Sequence, residues 1–257
     1  MLTYNSDAEF DFESIRKDKI IILINNGIHP GESDGIDATM MFFRDIVTGK
    51  IRAPEKTVLT TIPIYNVGGS LNRNSTTRTN QNGPKEYGFR GNARNFDLNR
   101  DFIKSETKNA RTFAQIFHLV KPDLFIDNHV SNGADYQYSI THLFTQHDKM
   151  GGKLGDYIHK TLQPAIEKKM NGKGLDITPY VNVFNQVPEK GFSQYLDLPR
   201  YSTGYTTLFN TFGLMVETHM LKPYKQRVGA TYGLMKSLLE ITEEQHETIG
   251  KLRKDSW

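Results

Sequence analysis

The chain has 257 residues, a formal net charge of +3, 37% hydrophobic residues and 24% charged residues. That length suits one large α/β domain, or two small ones, with a core that needs no covalent staples, and the mild, scattered charge gives no basis for nucleic-acid binding. A mean hydropathy of −0.54 and the lack of any apolar window of about eighteen residues exclude a helical membrane span, while the absence of cysteine removes disulfides, thiolate metal sites and cysteine nucleophiles together.

Residues 1–18 are polar with scattered aromatics and hold at most one short strand. The polar, acidic start shows no leader, which suits a cytoplasmic protein, or a secreted or periplasmic one whose leader has been trimmed. Lys19 to Asn25 reads as a buried strand, because a short β-branched apolar run is bounded by charge on one side and Asn25-Asn26-Gly27 on the other. Pro30 disfavours the helical region for His29, so His29 belongs to the extended exit from that strand. Ser33 stands where an N-cap would, with Asp34 and Asp37 in the first turn. Ile36, Met40, Phe43 and Val47 repeat at helical spacing until Gly49 ends the helix.

Thr57 to Ile64 is a second strand, followed by Asn66 and Gly68-Gly69. Ser70 to Asn95 is rich in Asn, Thr, Arg and Gly without periodicity, and a loop of that length in a compact domain is usually functional. Ala110, Phe113, Phe117 and Val120 mark a helix from about Ser105, and Asp123 to Asp127 is a third strand ending at Asn128-His129. Tyr138 to Phe144 reads as a further strand. Leu154, Ile158, Leu162 and Ile166 suggest a helix that Pro164 kinks or restarts. Gly172 to Tyr205 reads as loops with a short strand near Tyr180, Thr211 to Glu217 as a late strand, and Val228, Tyr232, Met235 and Leu239 as one face of a C-terminal helix. With no repeat, low-complexity tract or linker, the chain reads as a single domain over residues 1–257.

Strands alternating with helices predict an α/β sheet with helices on its faces, in which ligands bind outside the carboxyl ends of the strands. His29 with Glu32, His129 and Glu217 all fall at such ends. His29, Glu32 and His129 form a His₂Glu set of the type that holds one catalytic zinc ion and leaves a position for water. The plain reading of His129 is a strand-end histidine bonded to Asp127 or Asp135. Glu217 is either an ion-pair partner or a base for that water. His219, two residues on, is a structural or supporting histidine. The stretch from Phe89 to Phe102 is dense in Arg and Asn, which suits gripping a carboxylate or a developing oxyanion.

In order and rough spacing these residues resemble the zinc carboxypeptidases of the carboxypeptidase A type, the M14 peptidases. The resemblance runs from about Lys19 to His219. It is carried by His29-Pro30-Gly31-Glu32, by Ile62-Pro63-Ile64-Tyr65-Asn66 before a Gly-rich turn, by Asp97-Leu98-Asn99-Arg100, by His129 after an apolar strand and by Glu217 at the end of a late one. It implies a mixed, twisted sheet of roughly eight strands with helices on both faces. It implies that His29, Glu32 and His129 bind one zinc ion, that Asp97 orients His29 through its other ring nitrogen, and that Glu217 is the general base. It assigns Asn99 and Arg100 to the substrate's terminal carboxylate and Arg90, with Arg94 as a rival, to the scissile carbonyl. A mobile tyrosine that closes over substrate is assigned to Tyr201, then Tyr205, then Tyr195.

Two departures stand out. The segment before the zinc motif is short, so the family's first hairpin is reduced or lost. Val130-Ser131-Asn132 follows His129 where the family has a tyrosine. The expected activity is zinc-dependent hydrolysis of the last peptide bond of a peptide or peptide-like substrate with a free C-terminal carboxylate. A zinc amidase or deacylase of the same fold, acting on N-acyl amino acids or peptidoglycan stem peptides, and a catalytically silent peptide- or glycan-binding domain are the other two readings. No residue in the sequence identifies the base of a side-chain pocket.

Overall fold

In the computed structural model, which describes residues 1–182 and 186–256, the alternating patterns form one mixed sheet. Its strands are β1 (Leu2–Tyr4), β2 (Ile20–Asn26), β3 (Thr57–Ile62), β4 (Leu124–Val130), β5 (Ile140–Phe144), β6 (Ile177–Pro179) and β7 (Phe212–Thr218), in the spatial order β1-β3-β2-β4-β7-β5-β6. The central run β3-β2-β4-β7 is parallel; β1 and β5 run antiparallel to β3 and β7. The described residues supply seven strands where the resemblance implies about eight, since residues 1–18 give only β1 and the short helix α1 (Phe12–Ile15).

The other helices are α2 (Asp34–Val47), α3 (Val67–Leu71), α4 (Lys108–Val120), α5 (His147–Met150), α6 (Gly152–Tyr157), α7 (Gln163–Asn171), α8 (Ser202–Thr207) and α9 (Tyr224–Lys254). Their distribution explains why β2 is buried at every position and apolar from Ile20 to Ile24. Ile20, Ile22 and Ile24 face a core closed by α2, α6, α7 and α9. Ile21 and Leu23 face the opposite core, built on Phe113 and Phe117 of α4, Tyr205 of α8 and Phe12 and Ile15 of α1. A parallel strand covered on both sides reads as a continuous apolar run, not an alternating one.

α2 forms where expected but packs through another row. Ala38, Phe42 and Ile46 are buried, whereas Met40 and Val47 are exposed. The row that contains Gly35 and Ala38 lets the helix approach β4 closely: a Cβ on Gly35 would lie 2.3 Å from the Cβ of Asn128. Ser33 occupies the N-cap position without a capping bond, its hydroxyl meeting Tyr224 Oη at 3.2 Å instead. α4 starts at Lys108, capped by Thr107, which accepts from Ala110 N at 3.0 Å, and Ala110, Phe113, Phe117 and Val120 are its buried face. β3 stops at Ile62, because Pro63 has no N–H for a sheet ladder. Between α6 and α7 the helix widens into a π turn over Ile158–Leu162. Pro164 follows within the next turn; it cannot donate, and its ring crowds the carbonyl four residues earlier, so the wider turn keeps Leu154, Ile158, Leu162 and Ile166 on one buried face.

Connectivity sets the place of the site. From β2 the chain passes through α2 to β3 on one side, then through α4 to β4 on the other side of β2. This reversal opens a crevice at the carboxyl ends of β2 and β4. Among the described residues no helix is long and apolar enough to cross a membrane.

Candidate active site

His29 and Glu32 leave β2 on a turn closed by Glu32 N donating to His29 O at 2.8 Å. The turn puts both side chains on one side, and the Gly35 approach brings them against β4. The ligand atoms of His29, Glu32 and His129 all lie within 4.8 Å of one another, and all three residues are buried. His29 Nδ1 is 3.2 Å from Glu32 Oε1, and His129 Nδ1 is 3.0 Å from Glu32 Oε2. The opposite ring nitrogens are also occupied: His29 Nε2 meets Asp97 Oδ1 at 2.9 Å, and His129 Nε2 meets Asp127 Oδ2 at 2.9 Å. Two imidazoles presenting the same nitrogen, each backed by a carboxylate, with a third carboxylate between them, are a donor set that fits a divalent metal ion.

The charges agree with this. Burial disfavours the cationic form of His29, yet Glu32 and Asp97 outweigh it and raise its pKa above the ordinary imidazole value. Burial likewise opposes protonation of His129, and Asp127 with Glu32 raises its pKa well above the ordinary value. Burial works to raise the Glu32 pKa, but the charges of His29 and Arg78 and the His129 bond hold it well below the usual carboxylate range. The pocket is therefore built to hold positive charge at its centre, as protons or as a cation.

Glu217 on β7 opens into the same cavity, of about 240 Å³, together with His29, Glu32 and His129. Among the described residues no group donates a hydrogen bond to its carboxylate. Burial pushes its pKa up to about 7, against the pull of His129. Arg90 reaches the cavity from the long loop, its guanidinium paired with Asp97 Oδ2 at 2.9 Å and 3.4 Å from His29 Nδ1. Asn66, at the start of α3, fixes this loop against the His29–Glu32 turn by donating to the carbonyls of Ile28 and Arg90, each at 3.2 Å. Asn99 and Arg100 also line the cavity, with the Asn99 Oδ1 buried and, among the described residues, without a partner.

The structure separates the rivals named from sequence. Arg94 lies outside the cavity, lining another with Phe96 and Lys108. Tyr205 is packed in the α4 core with its hydroxyl 3.1 Å from His118 Nε2. Tyr201 and Tyr195 both line the cavity, their rings 5.4 Å apart. The Arg100 guanidinium carbon lies 4.9 Å from the Tyr201 ring centroid, a cation–π distance. His219 lies just past β7, with Nε2 3.2 Å from Asp135 and Nδ1 accepting from Leu221 N at 3.2 Å, outside the ligand set. Asp127, the plain partner of His129, does hold it, but through Nε2, which leaves Nδ1 for the centre.

Arg78 went unrecognised in the sequence. It lies in the aperiodic loop and donates to Glu32 Oε1 at 2.9 Å and to the Ser131 carbonyl at 3.0 Å. A lone arginine in a polar loop carries no local signal of this, because its partners are 46 and 53 residues away.

No protein-family model and no curated protein matches the sequence. Solved structures do match the fold. The chain is similar to a metallo-carboxypeptidase from Pseudomonas aeruginosa in complex with (2-guanidinoethylmercapto)succinic acid, with a TM-score of 0.62 and 12% identity over 88% of this chain and 58% of that one. It is similar to a metallo-carboxypeptidase from Burkholderia cenocepacia, with a TM-score of 0.61 and 15% identity over 86% of this chain and 57% of that one. A variant of the cell shape determinant protein Csd4 from Helicobacter pylori matches with a TM-score of 0.60 and 16% identity over 94% of this chain and 55% of that one. The chain thus has a metallo-carboxypeptidase-like fold and spans less than two thirds of the length of these structures.

Proposed function

We propose that this protein is a zinc-dependent metallocarboxypeptidase that hydrolyses the C-terminal peptide bond of a peptide-like substrate. The observation that carries the reading is the convergence, in one cavity, of a His₂Glu donor set, an unpartnered carboxylate at Glu217 and two guanidinium groups, Arg90 and Arg100. A zinc ion held by His29 Nδ1, Glu32 and His129 Nδ1 would supply a Lewis acid and a water whose proton is lost near neutral pH.

The rest of the chemistry belongs to the chain. Arg100, with Asn99, binds the terminal carboxylate and sets the last peptide bond against the centre; a guanidinium suits a carboxylate by its paired donors. Glu217, with a pKa of about 7, takes the proton of the attacking water and returns it to the leaving amine, the two halves of general base and general acid work. Arg90 faces the scissile carbonyl as negative charge develops on its oxygen, and Asp97 fixes its guanidinium in that direction. Tyr201 covers the bound end of the substrate beside Arg100.

The test is metal content of the purified protein, followed by turnover of a peptide and of its C-terminal amide. Bound zinc and turnover of the free acid alone support the reading. Equal turnover of both would favour the second reading, an amidase or deacylase of the same fold. One observation favours that alternative: Arg100 Nη1 already donates to the Asn99 carbonyl at 2.7 Å, so part of its donor capacity is spent locally.

A further inference from the structure

We propose that Asp127 and Ser202 are positioning residues for the second metal ligand, His129, and that they tie it to the cavity wall that carries Tyr201. This rests on the metal-centre reading above. The geometry starts on β4. Asp127 and His129 are two residues apart on one strand, so their side chains project from the same face, and Asp127 Oδ2 accepts from His129 Nε2 at 2.9 Å. Asp127 is fully buried. A buried carboxylate is costly unless it is paired and hydrogen-bonded, and among the described residues no lysine or arginine pairs with it. Its partners are His129, the Asn25 side-chain amide at 3.1 Å and the hydroxyl of Ser202.

Two consequences follow from that set of partners. The His129 ring is held through its Nε2 hydrogen, so Nδ1 faces Glu32 and the centre. Once a metal displaces the Nδ1 proton, the hydrogen kept at Nε2 leaves the tautomer that the metal requires, with the ring already oriented. Ser202 donates to the same oxygen, Oδ2, that receives the His129 hydrogen. Ser202 is the first residue of α8, directly after Tyr201. One carboxylate oxygen thus joins the ligand on β4 to the segment that lines the cavity beside Arg100. His29 has a simpler arrangement, since Asp97 holds it from an exposed loop. His129 is held from inside the fold, and its orientation depends on where α8 begins.

The experiment uses the full chain, stripped of metal and titrated with zinc against a chromogenic chelator at neutral pH, for the parent protein and for Asp127→Asn, Ser202→Ala and Ser202→Thr. Cobalt(II) absorption serves as a second readout of ligand geometry. Asp127→Asn keeps the shape but lets an amide donate to Nε2, which moves the ring hydrogen to Nδ1. It is expected to lose roughly 10- to 100-fold in zinc affinity and to alter the cobalt spectrum. Ser202→Ala is expected to lose roughly three- to tenfold, as for one ordinary hydrogen bond, since Ser202 acts on the ligand through Asp127, and Ser202→Thr, which keeps the hydroxyl, to recover most of it. A purely structural role would lower thermal stability and leave zinc affinity and the cobalt spectrum as in the parent; that result overturns the proposal. Should Asp127→Asn fail to fold, the Ser202→Ala and Ser202→Thr pair decides. A parent that binds no zinc overturns the metal centre itself and this proposal with it; a parent that binds and variants that bind equally overturn the positioning alone.

Discussion

His129 and Glu217 are register partners on the adjacent parallel strands β4 and β7. Side chains of register partners in neighbouring strands project from the same face of the sheet, one strand spacing of roughly 4.8 Å apart. The distance between the candidate second ligand and the candidate base is therefore a property of the sheet, and a slip of one residue would turn one of them to the far face.

Glu217→Gln tests the base directly. The amide preserves the shape of the side chain and cannot take a proton, so turnover should fall by about 10²- to 10⁴-fold. Zinc content should stay at the parent level, since Glu217 is outside the His₂Glu set. Elemental analysis and steady-state rates on the same preparation check both halves, and a variant that retains activity refutes the role of Glu217.

Arg100→Ala tests the carboxylate anchor. Loss of a hydrogen bond to a charged group corresponds to about 1.5–3 kcal/mol, or roughly 10- to 150-fold in kcat/KM. The loss should appear with a free-acid peptide and be absent with its C-terminal amide. Equal losses on both substrates would assign Arg100 to holding Tyr201 in place.

The metal-free protein should become less stable from pH 5 to pH 8. Burial raises the folded-state pKa of Glu217 to about 7 and that of Asp34 to about 6, and His29 and His129 are both raised by their carboxylate neighbours against the effect of burial. A group with a raised folded pKa contributes fully below its unfolded pKa and loses that contribution as pH climbs through the folded value. Glu32 and Asp97, held low, titrate the other way and below this window. Ligation must expel the Nδ1 protons, so the rise in melting temperature on adding zinc should grow with pH. Thermal melts with and without zinc across this range measure both slopes; a zinc shift that shrinks with pH contradicts the assignment of the donors.

Arg78→Ala removes the donor to Glu32 Oε1 and to the Ser131 carbonyl at once. Breaking one side of a buried ion pair costs about 3–5 kcal/mol, and Arg78 keeps some solvent contact, so about 2–4 kcal/mol is expected from chemical denaturation of the metal-free protein. Arg78→Lys should recover only part of this, because an ammonium does not reproduce the forked set of donors.

Elements with dense local signals could be read from the sequence: the apolar run of β2, the one-sided face of α4 at Ala110, Phe113, Phe117 and Val120, and the strand ends at His129 and Glu217. The buried face of α2 could not. Met40 and Val47 are as apolar as Phe42 and Ile46, and the choice between rows is made by the gap that Gly35 leaves at β4. The same holds for the support of the site. Asp97 is legible because it belongs to a contiguous motif with Asn99 and Arg100. Arg78 and Ser202 act across 46 and 75 residues of sequence respectively, and nothing local marks them.

Gly35 has no room for even one methyl group: its added carbon would fall 2.3 Å from Asn128 Cβ and 2.6 Å from Asn26 Oδ1. The turn bearing His29 and Glu32 runs directly into α2, so the helix works as a gauge block set against β4. Its thickness at the contact is a single hydrogen atom. A carbon atom inserted there would widen the gap on the scale of a metal–ligand bond, so the tolerance of the site is machined into a residue that no substrate or ion would touch.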